Sequence, residues 1–196
     1  MGQEFELKYR CDQATQTQIL ESFPGTWATI SMETTYYDTP QADFSRKRWT
    51  LRRRFENGIS ICTLKTPAPD GSRREWETPC QEITLALEQL CRLGAPRELL
   101  AYRQLIPVCG AKFTRRALQI TLPEGKVELA LDSGCLMGGN SQCPLWELEV
   151  ELKEGSQQAA INFAGKLAAT YHLIPEEKSK YRRALDLAKG EENHGI

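Results

Sequence analysis

The 196-residue sequence predicts an α+β domain built on a large antiparallel sheet or barrel. Three observations predict it. Many stretches alternate apolar and polar residues with period two, turn chemistry separates them, and helical spacing is confined to a few segments. The strand pattern covers residues 4–9, 34–38, 49–55, 60–65, 73–77, 112–122, 126–132 and 146–153. Turns fall at Asn57-Gly58, Pro69-Asp70-Gly71, Pro123-Glu124-Gly125 and Gly138-Gly139-Asn140, with Asn57-Gly58 and Glu124-Gly125 reading as hairpin connections. Asp12 can cap a helix running to about residue 23. Residues 83–93 form an amphipathic helix ending near Gly94, and 98–105 another. Residues 156–171 place Ala160, Phe163, Ala164 and Leu167 on one helical face, and a last helix covers 176–188. Residues 1–189 read as a single domain and 190–196 as a frayed tail.

Composition narrows the class. A charged fraction of 26% beside 40% hydrophobic residues is that of a folded soluble protein. The net charge of −1 gives no overall pull toward nucleic acid or an anionic membrane, so neither is an expected partner. No apolar run approaches the roughly 20 residues that cross a bilayer, and the charged N-terminus has no signal-peptide core. Seven cysteines without a Cys-x-x-Cys pair, and two histidines, argue against a disulfide framework or a zinc site. Reduced thiols and a cytoplasmic location are the expectation.

The charges are sorted by strand face. Glu4, Glu6 and Lys8 oppose Phe5, Leu7 and Tyr9. Arg52 and Arg54 share a face, Lys65 follows Ile61 and Thr63, and Arg73, Glu75 and Glu77 line another. Glu128 and Asp132 oppose Val127, Leu129 and Leu131, while Glu147, Glu149, Glu151 and Lys153 oppose Trp146, Leu148, Val150 and Leu152. One such strand alone describes the solvated face of an antiparallel sheet. A solvated face, however, mixes signs, because like charges side by side repel. Here carboxylate ladders and cation pairs are segregated, and the pattern recurs in nearly every strand. If the sheet closes, that face lines a lumen able to hold divalent cations and a polyanion together. Mg²⁺ and Mn²⁺ prefer carboxylate oxygens, arginine pairs bidentately with phosphate, and phosphoryl transfer needs positioning and charge neutralisation more than a protein nucleophile.

Glu4-x-Glu6-x-Lys8, Tyr36-Tyr37-Asp38-Thr39-Pro40, Leu51-Arg52-x-Arg54, Thr63-Leu64-Lys65, Arg73-x-Glu75, Thr114-Arg115, Glu128-x-Ala130-x-Asp132-Ser133-Gly134, Glu147-x-Glu149-x-Glu151 and Ser179-Lys180 occur in that order. With this set the chain resembles the CYTH family of triphosphate tunnel metalloenzymes, most closely its bacterial inorganic triphosphatase branch, from about residue 3 to 188. The resemblance implies an eight-stranded antiparallel tunnel with helices packed outside. It implies Mg²⁺ or Mn²⁺ on Glu4, Glu6, Glu149 and Glu151, helped by Glu75, Glu128 and Asp132. It implies a triphosphate gripped by Lys8, Arg52, Arg54, Lys65, Arg73, Arg115 and Lys180, with Arg183 joining or making a structural pair. Glu4, Glu6, Lys8 and Lys180 are the catalytic candidates, Lys180 plugging one mouth. Glu147 and Glu77 extend these rows and fall either in the site or at its rim, Arg53 and Arg116 are expected on the outer surface, Trp49, Trp76 and Trp146 in packing, and His172 at a helix end.

The expected reaction is metal-dependent hydrolysis of a small triphosphate, inorganic tripolyphosphate giving orthophosphate and pyrophosphate, by a monomer or homodimer. Thiamine triphosphate hydrolysis, cyclic AMP formation from ATP, and non-catalytic binding of polyphosphate or nucleotide are the alternatives, because one tunnel can serve each.

Overall fold

Period-two alternation gives each strand one apolar and one charged face, and the computed structural model joins these strands into a single nine-stranded antiparallel sheet. It describes residues 5–69 and 73–190. The strands are β1 (Glu6–Arg10), β2 (Ala28–Asp38), β3 (Thr50–Glu56), β4 (Ile59–Pro67), β5 (Arg73–Pro79), β6 (Ile106–Leu122), β7 (Gly125–Gly138), β8 (Ser141–Gly155) and the two-residue β9 (Ile174–Pro175). The helices are α1 (Gln13–Ser22), α2 (Asp43–Arg46), α3 (Ile83–Arg92), α4 (Gln157–Tyr171) and α5 (Lys180–Ala188). The hydrogen-bonded order is β5-β4-β3-β2-β6-β7-β8-β1-β9. Among the described residues the sheet therefore has eight principal strands, as expected, plus a short ninth, and its ladder stays open between the two edges rather than closing by hydrogen bonds.

Curvature makes the sheet tunnel-like. Strands β5 and β1 stand seven positions apart in the order, roughly 34 Å in a flat sheet. Yet Arg73 of β5 and Glu6 and Lys8 of β1 line one cavity. The charged faces thus turn inward and the apolar faces outward.

Two apolar clusters cover the convex side. Leu51, Leu64, Trp49 and Trp76 of the strands β3–β5 region meet Leu87 and Leu90 of α3. Leu129, Leu131, Leu148 and Val150 meet Ile19 of α1 and Ala160, Ala164 and Leu167 of α4. The third cluster lies on the concave side, where Ala184 and Leu187 of α5 pack on Phe113, Leu136 and Leu145. Helix α5 is therefore inside the curl rather than outside it. Gly138 permits this, because a Cβ there would stand 2.2 Å from the Ala184 carbonyl oxygen.

Local signals explain most boundaries. Asp12 caps α1 by accepting from the Thr15 N–H at 2.8 Å. Asn57 and Gly58 both take positive φ, 49° and 87°, as the tight β3–β4 hairpin requires. His172 ends α4 in the left-handed conformation, in keeping with its expected place at a helix end. The segment 98–105 forms a 3-10 turn over Arg97–Ala101 rather than an α-helix. The last helix starts at Lys180 rather than 176, because Ser179 caps it and Glu176 donates its N–H to the Lys8 carbonyl at 2.9 Å. Among the described residues no helix is long and apolar enough to cross a membrane.

Candidate active site

Strand register sorts the inward side chains into rows. Glu6 lies opposite Glu151, which lies opposite Glu128. Two residues along, Lys8 faces Glu149, which faces Ala130. In the next row Arg10 faces Glu147, Glu147 faces Asp132, and Asp132 faces Arg115. On the other side of the curl, Tyr36 pairs with Arg52 and Thr34 with Arg54. Thr50 pairs with Lys65, and Lys65 with Glu75. Carboxylates come mainly from β1, β7 and β8, with Glu75 and Glu77 on β5, and the remaining cations come from β3 to β5.

These rows enclose a cavity of about 360 Å³. Seven cations line it, namely Lys8, Arg52, Arg54, Lys65, Arg73, Arg115 and Lys180, against two carboxylates, Glu6 and Glu149. Arg115 and Lys180 are balanced by carboxylates beneath the lining and Lys65 stands 3.0 Å from Glu75, but among the described lining residues cations still outnumber carboxylates, which makes the concavity an anion site. Arg52 is aimed into it: its Nε is buried without a hydrogen-bond partner, and its nearest carboxylates, Glu75 and Glu77, stand 3.7 and 3.6 Å away. Burial, with Arg52 and Arg115 nearby, lowers the pKa of Arg54 from its ordinary value, so an incoming anion would relieve it.

Beneath the cavity floor sits a buried charge cage. The Arg115 guanidinium forks onto Asp132 with two 2.7 Å bonds and also reaches Glu149. The Lys180 ammonium donates to Glu149 at 2.7 Å and to Glu147, and stands 2.8 Å from Asp132. Arg183 holds the other oxygen of Glu147 at 2.5 Å. Burial opposes charge on Lys180, but Asp132, Glu149 and Glu147 outweigh it and hold the ammonium above the ordinary lysine range. Burial likewise opposes charge on Glu149, yet Lys180 and Arg115 hold that carboxyl well below its usual range. At Glu147 burial dominates and lifts the pKa to about 7.

A hydroxyl relay anchors the first turn of α5. Asp38, 1% exposed, accepts from the N–H groups of Thr39, Phe44 and Ser45 and from Ser45 Oγ at 2.6 Å. That bond uses the single hydroxyl hydrogen of Ser45, so Tyr181 is the donor in the 2.8 Å Ser45–Tyr181 contact. Tyr181 also packs on Tyr36 with ring centroids 5.0 Å apart, and both line the cavity. Sequence reasoning places Asp38 in a motif but misses this role; the short helix α2, with no clear periodicity, conceals it.

The other expected site residues divide plainly. Glu128 and Glu151 lie on the inward face but outside the cavity lining, near Lys153 at 3.9 and 2.8 Å. Glu75 stands among cations, 3.0 Å from Lys65, because β5 belongs to the opposite side of the curl from the carboxylate strands. Arg183 makes a structural pair with Glu147 and Glu176 rather than lining the cavity. Of the two residues left open between site and rim, Glu147 is fully buried, because α5 closes over it, whereas Glu77 is half exposed and accepts from Thr63 at 2.8 Å. Arg53 and Arg116 fall on the convex face, Arg53 donating to the Gln81 carbonyl at 3.0 Å. Glu4 lies outside the described residues.

The carboxylate donors suit a hard divalent cation. Asp132, Glu147 and Glu149 bring ligand oxygens within 4.8 Å of one another. Glu6 and Glu151 face each other across the β1–β8 ladder.

Comparison with known proteins agrees with this geometry. A curated inorganic triphosphatase from Haemophilus influenzae is 30% identical over 153 residues, which is 76% of this chain and 44% of the relative, so the chain spans less than half of that protein's length. Among solved structures, a Hippeastrum protein studied as an adenylyl cyclase and described as having a dominant triphosphatase activity superposes with a TM-score of 0.67 at 18% identity, covering 99% of this chain and 98% of its own. A Pyrococcus horikoshii protein superposes with a TM-score of 0.59 at 23% identity, covering 94% and 99%. At these identities the two structures speak to the fold. The CYTH domain model matches residues 2–185, and on that match the chain belongs to the CYTH domain family.

Proposed function

We propose that the chain hydrolyses a small triphosphate in a divalent-metal-dependent reaction, with inorganic tripolyphosphate as substrate and orthophosphate and pyrophosphate as products. The observation that carries the reading is the 360 Å³ cavity with seven cations beside Glu6 and Glu149. A cavity so charged selects a compact polyanion, and its carboxylates supply a place for a counter-cation. The inorganic triphosphatase activity of the Haemophilus relative supports the same substrate class.

In this reading Arg52, Arg54, Lys65, Arg73 and Lys8 bind the phosphate oxygens. Arginine forks orient the chain of phosphates, and the lysines add point charges. Pre-placed cations stabilise charge developing on the phosphate oxygens without reorganisation during the reaction. Glu6, Glu149 and Glu151, with Glu4 from the preceding segment, would hold Mg²⁺ or Mn²⁺, while Glu75 and Glu128 tune neighbouring cations. When bound, the metal supplies charge neutralisation and a more acidic water. Tyr181 and Tyr36 wall the cavity, and α5 limits access of bulk water at its end. Residues 1–189 act as one catalytic domain, as a monomer or homodimer in the cytoplasm, without nucleic-acid or membrane partners.

Phosphate release tests this directly, with tripolyphosphate, thiamine triphosphate and ATP, each with Mg²⁺, Mn²⁺ or EDTA. Metal-dependent release fastest on tripolyphosphate is expected. Cyclic AMP and pyrophosphate from ATP, without orthophosphate, would make the chain a cyclase.

A further inference from the structure

Two of the cavity's arginines differ from its other cations in what the strand register sets beside them. Arg115 faces Asp132 across β6 and β7, and Lys65 faces Glu75 across β4 and β5. Each is tied to that carboxylate, at 2.7 and 3.0 Å. Arg52, by contrast, lies between Tyr36 and Thr63, and Arg54 between Thr34 and Ile61, so all four cross-strand neighbours are uncharged. Glu75 and Glu77 stand 3.7 and 3.6 Å from Arg52, and Glu56 stands 3.5 Å from Arg54. These separations exceed the roughly 2.7–3.2 Å of a good N–H···O bond.

Arg54 is nevertheless fixed. Its Nε donates to Thr34 Oγ1 at 3.1 Å. Thr34 is 1% exposed, so water does not compete for that oxygen. Its branched side chain has restricted χ1 freedom, which aims the hydroxyl. An arginine held through Nε is fixed at the root of its guanidinium plane and keeps both terminal nitrogens for a fork onto phosphate. A carboxylate at position 34 would hold the same arginine but cancel its charge, as Asp132 does for Arg115. Burial, with Arg52 and Arg115 nearby, already disfavours charge on Arg54, so a neutral acceptor leaves that charge to be satisfied by an incoming anion.

We infer that Thr34 is a positioning residue of the anion site, whose hydroxyl orients Arg54 without neutralising it and so keeps the guanidinium charge for a phosphate group. Thr34 does not itself line the cavity and acts through Arg54. The inference rests on the triphosphate reading of the cavity and adds to it a residue that sets how tightly the anion is held.

The test is tripolyphosphate binding by the whole chain in EDTA, followed by isothermal titration calorimetry, beside initial rates of phosphate release with Mg²⁺. Thr34→Val keeps the shape and removes the acceptor, and should weaken binding about three- to tenfold, the scale of one hydrogen bond. Thr34→Ser restores the hydroxyl and should bind within about twofold of the parent. Thr34→Asp offers Arg54 an ion pair in place of the hydrogen bond, and should bind at least about thirtyfold more weakly because it cancels the charge. A merely structural role for Thr34 predicts that Thr34→Asp binds as the parent does. Unchanged binding in Thr34→Val, or parent-like binding in folded Thr34→Asp, overturns the inference; if Thr34→Asp does not fold, Thr34→Val against Thr34→Ser decides. Phosphate release by the parent with Mg²⁺, without these binding differences or without any binding in EDTA, overturns the inference alone. Binding with the expected differences, but no phosphate release with Mg²⁺, refutes the triphosphatase reading alone.

Discussion

Replacing Arg115 by Met removes the guanidinium fork on Asp132 while keeping a long side chain in place. Asp132 is fully buried and takes two 2.7 Å bonds from Arg115, and Glu149 loses one of its two cations. Stripping one partner from a buried ion pair costs about 3–5 kcal/mol, because the remaining charge stays desolvated. Lys180 still stands 2.8 Å from Asp132, so the lower end, about 3 kcal/mol, is the expected loss. For a domain of this size that corresponds to a fall of about 6–12 °C in melting temperature. The assay is thermal unfolding followed by far-ultraviolet circular dichroism, without ligand or metal. Arg116→Gln is the matched control, because Arg116 is exposed on the other face of the same strand. Its effect should stay within about 0.5 kcal/mol. Equal melting temperatures for the two variants would refute the buried cage.

Further outcomes follow from the same geometry. Tyr181→Phe deletes the hydrogen bond to Ser45 and should cost about 0.5–1.5 kcal/mol in urea unfolding, with Ser45→Ala in the same background costing about 1.5–3 kcal/mol more, because it also strips a hydrogen bond from the buried Asp38 carboxylate. Glu149 has a folded pKa below its unfolded value near 4.5, so its contribution is present above about pH 4.5 and fades on acidification; the urea midpoint of Glu149→Gln should therefore fall less steeply below that pH than the parent's. Cys62 and Cys109, whose thiols burial pushes up to about 12, should resist alkylation at pH 8 in the folded chain, as mass spectrometry of trapped cysteines will read.

Much of this architecture is legible in the sequence because alternation is a direct physical record of a two-faced strand. The rows Glu6–Glu151 and Lys8–Glu149 could not exist without the alternating motifs that announce them. Legibility fades where alternation fades. Residues 106–111 belong to β6 but mix small and apolar types without a clear period, so that strand reads shorter than it is, whereas residues 28–33 of β2 do alternate, Ala28, Ile30 and Met32 against Thr29, Ser31 and Glu33, and that strand is legible beyond residues 34–38. Strand β9 is two residues long and defined only by pairing with β1. The position of α5 was the least readable feature. Its amphipathic spacing shows a helix, yet its site on the concave face depends on Gly138 allowing the backbones to meet. That placement is what buries Glu147 and turns Arg183 from a candidate phosphate ligand into a structural partner. Local spacing cannot report a contact made across 36 residues, as Glu147–Arg183 is.

The central claim is that the inward face of the curled sheet carries the chemistry and the outward face does not. Phosphate release from tripolyphosphate by Glu6→Gln and Arg53→Gln measures that most directly, since Glu6 lines the cavity and Arg53 lies on the convex face of β3. With Mg²⁺ or Mn²⁺ saturating, Glu6→Gln should lose at least about a hundredfold in rate, the scale seen when one pre-placed electrostatic group is removed, while Arg53→Gln stays within about twofold of the parent. Equal loss from both variants, or full activity in Glu6→Gln, would contradict the account.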